Sequence, residues 1–330
     1  MGTKRLFFSV IASSILVAEA LTFDATNAKV VQIAYSVNKD SFYGGDDYLV
    51  DKVYKHYYDN LVSNNMNIPI FNNMVPQGIA LYNEYILTTS YDANKESNSC
   101  VYVLDKNGNL LNTCSLSNMA HVGGIAYDKI NNLVWICGTN GCIDAYNPDD
   151  LLTNKVITPL YANFDVGDGL PNYKNPFLNS AAYLTIDGDS IYIGSFSLYT
   201  KGKVKKYKII LNHEERKLTL KYQGMFLVPS KVQGFTFYKK NDQKYIIFSR
   251  SYGKDYPSVI QIFKYDDKIS SYDNNVSNIA YEAPAMLEQI TCDQGLIYSI
   301  YESGAKRYSD SSDVITNIHV LDGESLVRKL

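Results

Sequence analysis

A pair of short apolar segments recurs five times along this chain, and the repeat restricts the folds open to it. In the first copy, residues 75–81 are followed closely by residues 86–91, and both have the composition of β-strands. The equivalent positions of the five copies lie 46, 59, 51 and 55 residues apart, and they are Gln77, Gly123, Ala182, Gln233 and Glu288. Repeats of this length that contain only short strands are typical of a β-propeller. We therefore predict an all-β fold that forms a single β-propeller.

The repeat predicts five blades, which occupy residues 75–330. Six blades are the alternative, and the sixth would have to come from residues 21–74. This N-terminal segment has the apolar spacing of a short helix between residues 40 and 60. Residues 29–36 form a possible strand, which we expect to close the ring by completing a blade at the other end of the chain.

The first 20 residues have the pattern of a secretory signal peptide. Lys4 and Arg5 precede an apolar run over residues 6–18, and residues 18–20 (Ala-Glu-Ala) match a cleavage site. A second possible cleavage site is at residues 26–28, and an uncleaved N-terminal anchor is the alternative. We expect a secreted or cell-surface protein without a membrane span after cleavage, because the apolar run is short for one.

The chain contains five cysteines, and four of them are spaced for cross-strand pairing. Cys100 and Cys114 face each other if their hairpin is centred on Asn107, and Cys137 and Cys142 flank a tight Asn-Gly turn. Two disulfides are therefore predicted for an oxidising compartment, with reduced, buried thiols as the alternative.

Charge and composition restrict the partners of this chain. The formal net charge is −3, so nothing predicts binding to nucleic acid. The 29 tyrosines suit β-sheets, and they also suit a surface that binds a sugar or another polymer. We expect a monomer that binds a small molecule, a carbohydrate or a protein at the mouth of the channel.

Four side chains are candidate catalytic residues, because the first strand of each blade lines the channel and the second strand ends near its mouth. They are His121, Arg250, Glu288 and Glu302. A histidine or a glutamate of raised pKa transfers protons, and an arginine stabilises a carboxylate or a developing oxyanion. The alternative is structural, with Arg250 neutralising Glu288 or Glu302.

Four more residues are candidates for ligand binding, since they belong to the same strand starts and strand ends. They are Gln77, Gln233, Tyr252 and Tyr301. The alternative for the two glutamines is again structural, because an amide both donates and accepts hydrogen bonds and suits the backbone of a neighbouring blade.

No cofactor and no metal site is predicted, because the cysteines and histidines do not have the spacing of zinc ligands. Residues 165–169 (Asp-Val-Gly-Asp-Gly) place oxygen ligands at alternating positions, so calcium is a weaker possibility there. The chain also contains no Gly-x-Ser-x-Gly motif, Walker-type loop or His-Glu-x-x-His motif.

Four segments of the repeat resemble segments of the uncharacterised secreted β-propeller proteins of Gram-positive bacteria. They are residues 76–80 (Pro-Gln-Gly-Ile-Ala), 120–127 (Ala-His-Val-Gly-Gly-Ile-Ala-Tyr), 231–235 and 249–253. The resemblance covers residues 75–321, and it implies only an extracellular propeller.

Residues 77–79 (Gln-Gly-Ile), with the strand ending at Thr89 and Ser90, are similar to the opening blade of plant-type glutaminyl cyclases. Those enzymes have five blades. This resemblance implies cyclisation of an N-terminal glutamine by a carboxylate at the channel mouth, although no residue of this chain is matched to that carboxylate.

Two functions follow as predictions. The first is a secreted propeller that binds a ligand, surface polymer or protein partner at one face of the ring. The alternative is an extracellular hydrolase, lactonase or glutaminyl-cyclase-like enzyme that acts at the channel mouth.

Overall fold

The computed structural model of the chain describes residues 53–54, 57–165, 181–273 and 276–330. These residues form 22 β-strands, two short α-helices and three single turns of 3₁₀-helix. The strands make five sheets of four or five strands each. The prediction of a five-bladed β-propeller is therefore confirmed for the described part of the chain, whereas the predicted N-terminal helix pattern and the strand at residues 29–36 lie almost entirely outside it.

The strands follow the order of the blades. The chain enters through β1 (Val53–Tyr54) and β2 (Leu61–Asn67). Blade 1 contains β3 (Met74–Tyr82), β4 (Tyr85–Asp92), β5 (Cys100–Asp105) and β6 (Leu110–Leu116). Blade 2 contains β7 (Ile125–Asp128), β8 (Leu133–Cys137), β9 (Cys142–Tyr146) and, after the short β10 (Val156–Ile157), β11 (Tyr161–Asp165).

The remaining blades are built in the same way. Blade 3 contains β12 (Tyr183–Asp187), β13 (Ser190–Ser195), β14 (Gly202–Asn212) and β15 (Lys217–Val228). Blade 4 contains β16 (Val232–Lys240), β17 (Gln243–Arg250), β18 (Ser258–Lys264) and β19 (Asn278–Ala283). Blade 5 contains β20 (Leu287–Asp293), β21 (Leu296–Tyr301) and β22 (Asn317–Asp322). The helices are α1 (Pro148–Thr153) and α2 (Gly323–Val327), and the 3₁₀ turns are Tyr58–Asn60, Thr139–Gly141 and Lys306–Tyr308.

The N-terminal segment closes the ring. Strand β2 pairs antiparallel with β22 and becomes the fourth strand of blade 5. Strand β1 adds to the outer edge of blade 4 in parallel, and β10 does the same to blade 1. The first and last parts of the described chain are thereby joined within one sheet, which ties the ring together.

Each blade packs its apolar faces against its neighbours. Trp135 of blade 2 is fully buried in a cluster that includes Leu184 and Ile191 of blade 3. Phe235 of blade 4 lies against Tyr183 and Tyr192 of blade 3 in the next cluster. A blade cannot bury both faces alone, so this packing between blades holds the ring together.

The two ends of the channel differ in their loops. At one end, which we call the lower face, the first two strands of four blades are joined by two-residue turns such as Asn83-Glu84 and Asn241-Asp242. The first residue of these turns has a positive φ, for which Asn and Gly are favoured. Longer connections, from the second strand to the third, lie at the upper face, where the inner strands begin. The upper face therefore has more loop residues available for function.

The predicted disulfides are not formed: the described residues include all five cysteines and contain no disulfide. A bulge between Val103 and Leu104 shifts the hairpin by one residue, so Cys100 lies opposite Ser115, not Cys114. Because side chains alternate between the faces of a sheet, this shift puts the two thiols on opposite faces. Cys142 similarly lies beside Gly138, while Cys137 pairs with Ile143.

Among the described residues, no helix has the length and apolar character needed to cross a membrane.

Candidate functional site

A cavity of about 590 Å³ opens at the upper end of the channel, and we call it the mouth cavity. Inner-strand starts from four blades line it, through Gln77, Gly123, Ala182 and Gln233. Loops at the upper face complete its wall with His121, Phe196, Tyr252, Lys254, Glu302 and Tyr308. The equivalent positions of the sequence repeat thus meet at one place, because each inner strand begins at the same end of the channel.

Beta-bulges direct the side chains at these positions. The pairing of the inner strand with its neighbour shifts at Gln77-Gly78 in blade 1, at Gln233 in blade 4 and at Glu288-Gln289 in blade 5. A bulge interrupts the ladder and turns a side chain out of its regular direction, and bulges are common beside functional sites.

Two glutamates form a carboxyl pair at the wall of the cavity. Glu302 is partly exposed and lines the cavity, whereas Glu288 is 3% exposed and lies behind it, within hydrogen-bond distance. Burial and the neighbouring Glu302 raise the pKa of Glu288 well above its usual value, and their shared hydrogen bond makes Glu288 the partner that keeps its proton to the higher pH. Burial raises the pKa of Glu302 to about 7, while hydrogen bonds and a nearby cation limit that rise.

The amide of Gln77 holds Glu302 in place. Its Nε2 donates to Glu302 Oε2 over 3.1 Å and to the carbonyl oxygen of Pro76 over 2.9 Å. The cation near Glu302 is Arg307, which is exposed and lies 5.5 Å from the ring centroid of Tyr308. The pair therefore presents a single carboxylate to the cavity when that carboxylate is ionised.

An aromatic group borders the same wall. The ring of Tyr91 lies 4.5 Å from that of His121, and the Tyr91 hydroxyl is hydrogen-bonded to Tyr308. His121 is exposed towards the cavity, yet enough protein surrounds its imidazole for burial to lower its pKa, and the charge of Lys95 lowers it further. The imidazole is therefore neutral at pH 7.

Two upper loops are joined beside the cavity. Lys254 forms an ion pair with Asp310, and its carbonyl oxygen accepts hydrogen bonds from the hydroxyls of Ser311 and Ser312. These contacts connect the loop after β17 with the loop after β21, which carries Glu302 and Tyr308. The ion pair also occupies the ammonium group of Lys254.

Three residues that precede inner strands have left-handed backbone conformations. Val122, Lys231 and Met286 have φ values of 52°, 62° and 64°. All three come just before inner-strand positions of the repeat, and Val122 is β-branched, for which this conformation is unfavourable. Strain of this kind collects at functional sites and is held there by surrounding contacts, such as the hydrogen bond from Thr89 Oγ1 to the carbonyl oxygen of Val122.

Gln289 closes the channel below the mouth cavity. Its Oε1 accepts hydrogen bonds from the backbone N–H groups of Ile79 and Ile125, at 3.1 and 3.0 Å. Its Nε2 donates to the carbonyl oxygens of Ile125 and Leu184, at 2.8 and 3.0 Å. One side chain from blade 5 thereby ties together the inner strands of blades 1, 2 and 3.

Close approach of the inner strands depends on glycine at two positions. A Cβ atom at Gly78 would lie 2.9 Å from Gln289 Oε1 and 2.6 Å from Thr89 Oγ1, and one at Gly234 would lie 2.8 Å from the Cα of Gln289. Any side chain there would push Gln289 aside.

The structure places two of the eight predicted site residues away from the cavity. Arg250 is fully buried, and it donates to the carbonyl oxygen of Ser230 and to Gln261 Oε1 inside blade 4. Tyr301 is also fully buried, with its hydroxyl 2.6 Å from that of Tyr57. Both residues end a second strand, and the alternation of that strand turns them into the blade.

The other six predicted residues lie at or directly behind the mouth cavity. His121, Glu302, Gln77, Gln233 and Tyr252 line it, and Glu288 contacts Glu302. Sequence reasoning did not identify Tyr308, Lys254 or the role of Gln289. The length of the loop after β21 was the available signal for Tyr308, because long loops in compact domains are frequently functional.

In the described ranges, no three His, Cys, Asp or Glu side chains are grouped so that they could hold a metal ion. The segment proposed for calcium, residues 165–169, lies outside the residues whose side chains are described.

Comparison with known proteins adds only structural likenesses. No protein-family profile and no curated protein matches this chain. Among solved structures, a protein of unknown function from Bacteroides thetaiotaomicron is 12% identical, with a TM-score of 0.38, over 74% of this chain and 58% of that one. The WD40 domain of Toxoplasma gondii coronin is 9% identical, with a TM-score of 0.37, over 73% and 72%.

Hsv2 from Kluyvelomyces marxianus is 10% identical, with a TM-score of 0.30, over 46% of this chain and 45% of that one. The matched part therefore spans a little less than half of either protein, this chain or Hsv2. These likenesses carry no argument about the site, so its interpretation depends on the geometry above.

Proposed function

We propose that the protein binds an organic ammonium group in the mouth cavity. The observation that carries the proposal is the Glu288–Glu302 pair, which offers one carboxylate at the wall of a cavity large enough for a small ligand or a peptide terminus. A cation beside Glu302 would be stabilised by its charge in a partly desolvated place. We also propose that the protein is exported, with residues 1–20 as its signal peptide.

Hydrogen-bond acceptors at the cavity support an ammonium ligand. The side-chain hydrogen bonds of Gln77 and Gln233 to described residues use their NH₂ groups as donors. Their amide oxygens are therefore available as acceptors. An ammonium group carries only donors, so it matches this set better than a carboxylate or a phosphate does.

Aromatic side chains support the same ligand class. Phe196, Tyr252 and Tyr308 line the cavity, and Tyr252 is 47% exposed. The faces of aromatic rings attract cations. The neighbouring cations oppose this attraction only in part, because Lys254 is paired with Asp310 and Arg307 is exposed beside Tyr308.

The test is titration of the full chain with n-butylammonium and with short peptides, each compared with its N-acetylated form. We expect the free amines to bind and the acetylated forms to bind at least about tenfold more weakly, the usual scale for losing a charge-assisted contact. Glu302→Gln removes the carboxylate with little change in shape and should abolish the difference. Glu282→Gln, on the outer strand β19, is the matched control and should leave it unchanged.

The binding should also depend on pH. Because Glu302 has a pKa of about 7, we expect amine affinity to fall by about tenfold per pH unit below pH 7, while His121 stays neutral until a lower pH and then adds repulsion. Calorimetric titrations between pH 5 and about 8 measure this. Equal affinity for free and acetylated forms, or full binding by Glu302→Gln, would overturn the proposal.

An enzyme is the second candidate, and the pKa of Glu302 near neutrality favours it. A carboxyl group that gains and loses a proton near pH 7 is suited to general acid–base catalysis. In a glutaminyl-cyclase-like reaction, Glu302 would take a proton from the attacking α-amine and return it to the leaving ammonia. A hydrolase or lactonase would use it to activate water.

The enzyme hypothesis is tested with a panel of esters, lactones and N-terminal glutaminyl peptides. Turnover that disappears in Glu302→Gln and persists in Glu282→Gln would establish catalysis at this site. Binding of amines without any turnover on the panel would leave binding as the function.

A further inference from the structure

A second cavity, of about 310 Å³, lies at the lower end of the channel, beyond Gln289 from the mouth cavity. We call it the lower chamber. All five inner strands line it, and each contributes the residue three positions after its repeat position. These residues are Ala80, Ala126, Thr185, Thr236 and Thr291. The two alanines leave space on one side, and the three threonines present hydroxyl groups on the other.

The threonine hydroxyls are available to a ligand. Thr185 and Thr236 are only 6% and 4% exposed, and both line the chamber. Within the described ranges, none of the three threonines makes a side-chain hydrogen bond. Thr291 is half-buried, so the chamber brings together three threonine hydroxyls that a polar guest can reach and with which it can exchange hydrogen bonds.

The rest of the wall fits a sugar ring. Tyr127 and Phe237 supply aromatic carbon, against which the C–H groups of a pyranose can pack. Asp187 and Asp293 supply carboxylate acceptors for its hydroxyls, and Asp187 is neutralised by its ion pair with Lys244. Hydroxyl groups of a sugar both donate and accept, as the threonine hydroxyls do.

We propose that the lower chamber binds a single monosaccharide unit. Its volume is at the small end of the range of ligand cavities, which favours one ring over an oligosaccharide. A bare metal ion fits less well, because the described residues hold no cluster of three acidic, histidine or cysteine ligands and Asp187 is already paired. This site is separate from the mouth cavity and does not depend on its proposed function.

The first test is saturation-transfer NMR and calorimetry of the full chain with glucose, galactose, mannose and N-acetylglucosamine. We expect at least one sugar to bind in the millimolar range or tighter. Thr236→Val removes a hydroxyl at nearly constant volume and should weaken binding by about tenfold, the effect of one lost hydrogen bond. Thr88→Val is the matched control, since Thr88 is a buried threonine of β4 outside the chamber, and it should bind as the unchanged chain does.

The second test uses Cys292, which lines the chamber. Its pKa is raised to about 11 by burial, so alkylation by N-ethylmaleimide is followed at alkaline pH. A bound sugar should slow labelling of Cys292 and leave the half-buried Cys142, outside the chamber, unaffected. This measurement uses the unchanged chain, so it decides the question even if a threonine variant does not fold.

Four outcomes would overturn the proposal. They are no binding by any of the sugars, unchanged binding by Thr236→Val, loss of sugar binding in Glu302→Gln instead, and protection of Cys292 by calcium chloride but by no sugar.

Discussion

The fold keeps Glu288 protonated above the pH at which this group ionises in the unfolded chain, so the stability contributed by Glu288 depends on pH. Its pKa is raised well above the ordinary value of 4.5, so above pH 4.5 the folded state holds a proton that the unfolded state has lost. Because the folded state binds more protons in this window, the contribution of Glu288 to stability falls as the pH rises. Glutamine in its place would stay neutral and could still donate to Glu302.

We therefore expect Glu288→Gln to gain stability relative to the unchanged chain as the pH rises. Above about pH 5, over the range in which only the folded chain keeps the Glu288 proton, the difference in unfolding free energy should grow by about 1.4 kcal/mol per pH unit, the value for one proton. Urea denaturation at several pH values measures it, with Glu282→Gln as the control. A difference that stays constant with pH would show that Glu288 ionises normally in the folded protein.

One amide links the inner strands of blades 1, 2 and 3, so Gln289 should contribute far more to stability than Gln233, the glutamine at the start of the blade 4 inner strand. Gln289→Met keeps the volume but leaves the buried backbone groups of Ile79, Ile125 and Leu184 without partners. Each unsatisfied buried group costs about 1–3 kcal/mol, so we expect a loss of at least about 3 kcal/mol. Denaturant unfolding provides the measurement.

Gln233→Met is the matched control for this prediction. Gln233 starts another inner strand but makes a single, long hydrogen bond of 3.4 Å to the carbonyl oxygen of Ser251. We expect it to cost less than about 1 kcal/mol. Similar losses in the two variants would mean that the bonds of Gln289 do not tie the strands together.

The strands and their arrangement were predictable because the repeat is periodic. The residues that line the mouth cavity were predictable because equivalent positions of the repeat lie at the same end of each inner strand. Individual side-chain directions were not. Glu288 and Gln289 share one bulge, and sequence does not show which of the two crosses the axis. A bulge at Val103 and Leu104 likewise changed the facing of Cys100 and Cys114, and such bulges depend on packing between strands.

The whole ring depends on its closure by β2, and Tyr57 anchors the start of that strand. Its hydroxyl lies 2.6 Å from the hydroxyl of Tyr301 and 3.0 Å from Nδ1 of His319. His319 is 2% exposed, and burial lowers its pKa to about 4, so it stays neutral over most of the pH range. The three side chains fasten the N-terminal segment to the last blade.

Tyr57→Phe should loosen this closure, because it removes the hydroxyl that joins Tyr301 and His319 to the N-terminal segment. We expect a loss of about 1–3 kcal/mol and faster amide hydrogen exchange in β2 and β20–β22 before the other blades. Tyr58→Phe is the control, since Tyr58 is 58% exposed. Uniform acceleration across all blades, or none, would contradict this role for Tyr57.

Because Gln289 blocks the axis, a molecule that reaches Glu302 has to depart through the opening by which it arrived. Lys254, which pairs with Asp310, lines that opening, so we expect the exchange rate of a ligand to depend on the surface loops more than on the strands of the propeller. The two proposed ligand specificities could consequently be altered one at a time, by changing the side chains on one side of Gln289 and leaving those on the other side as they are.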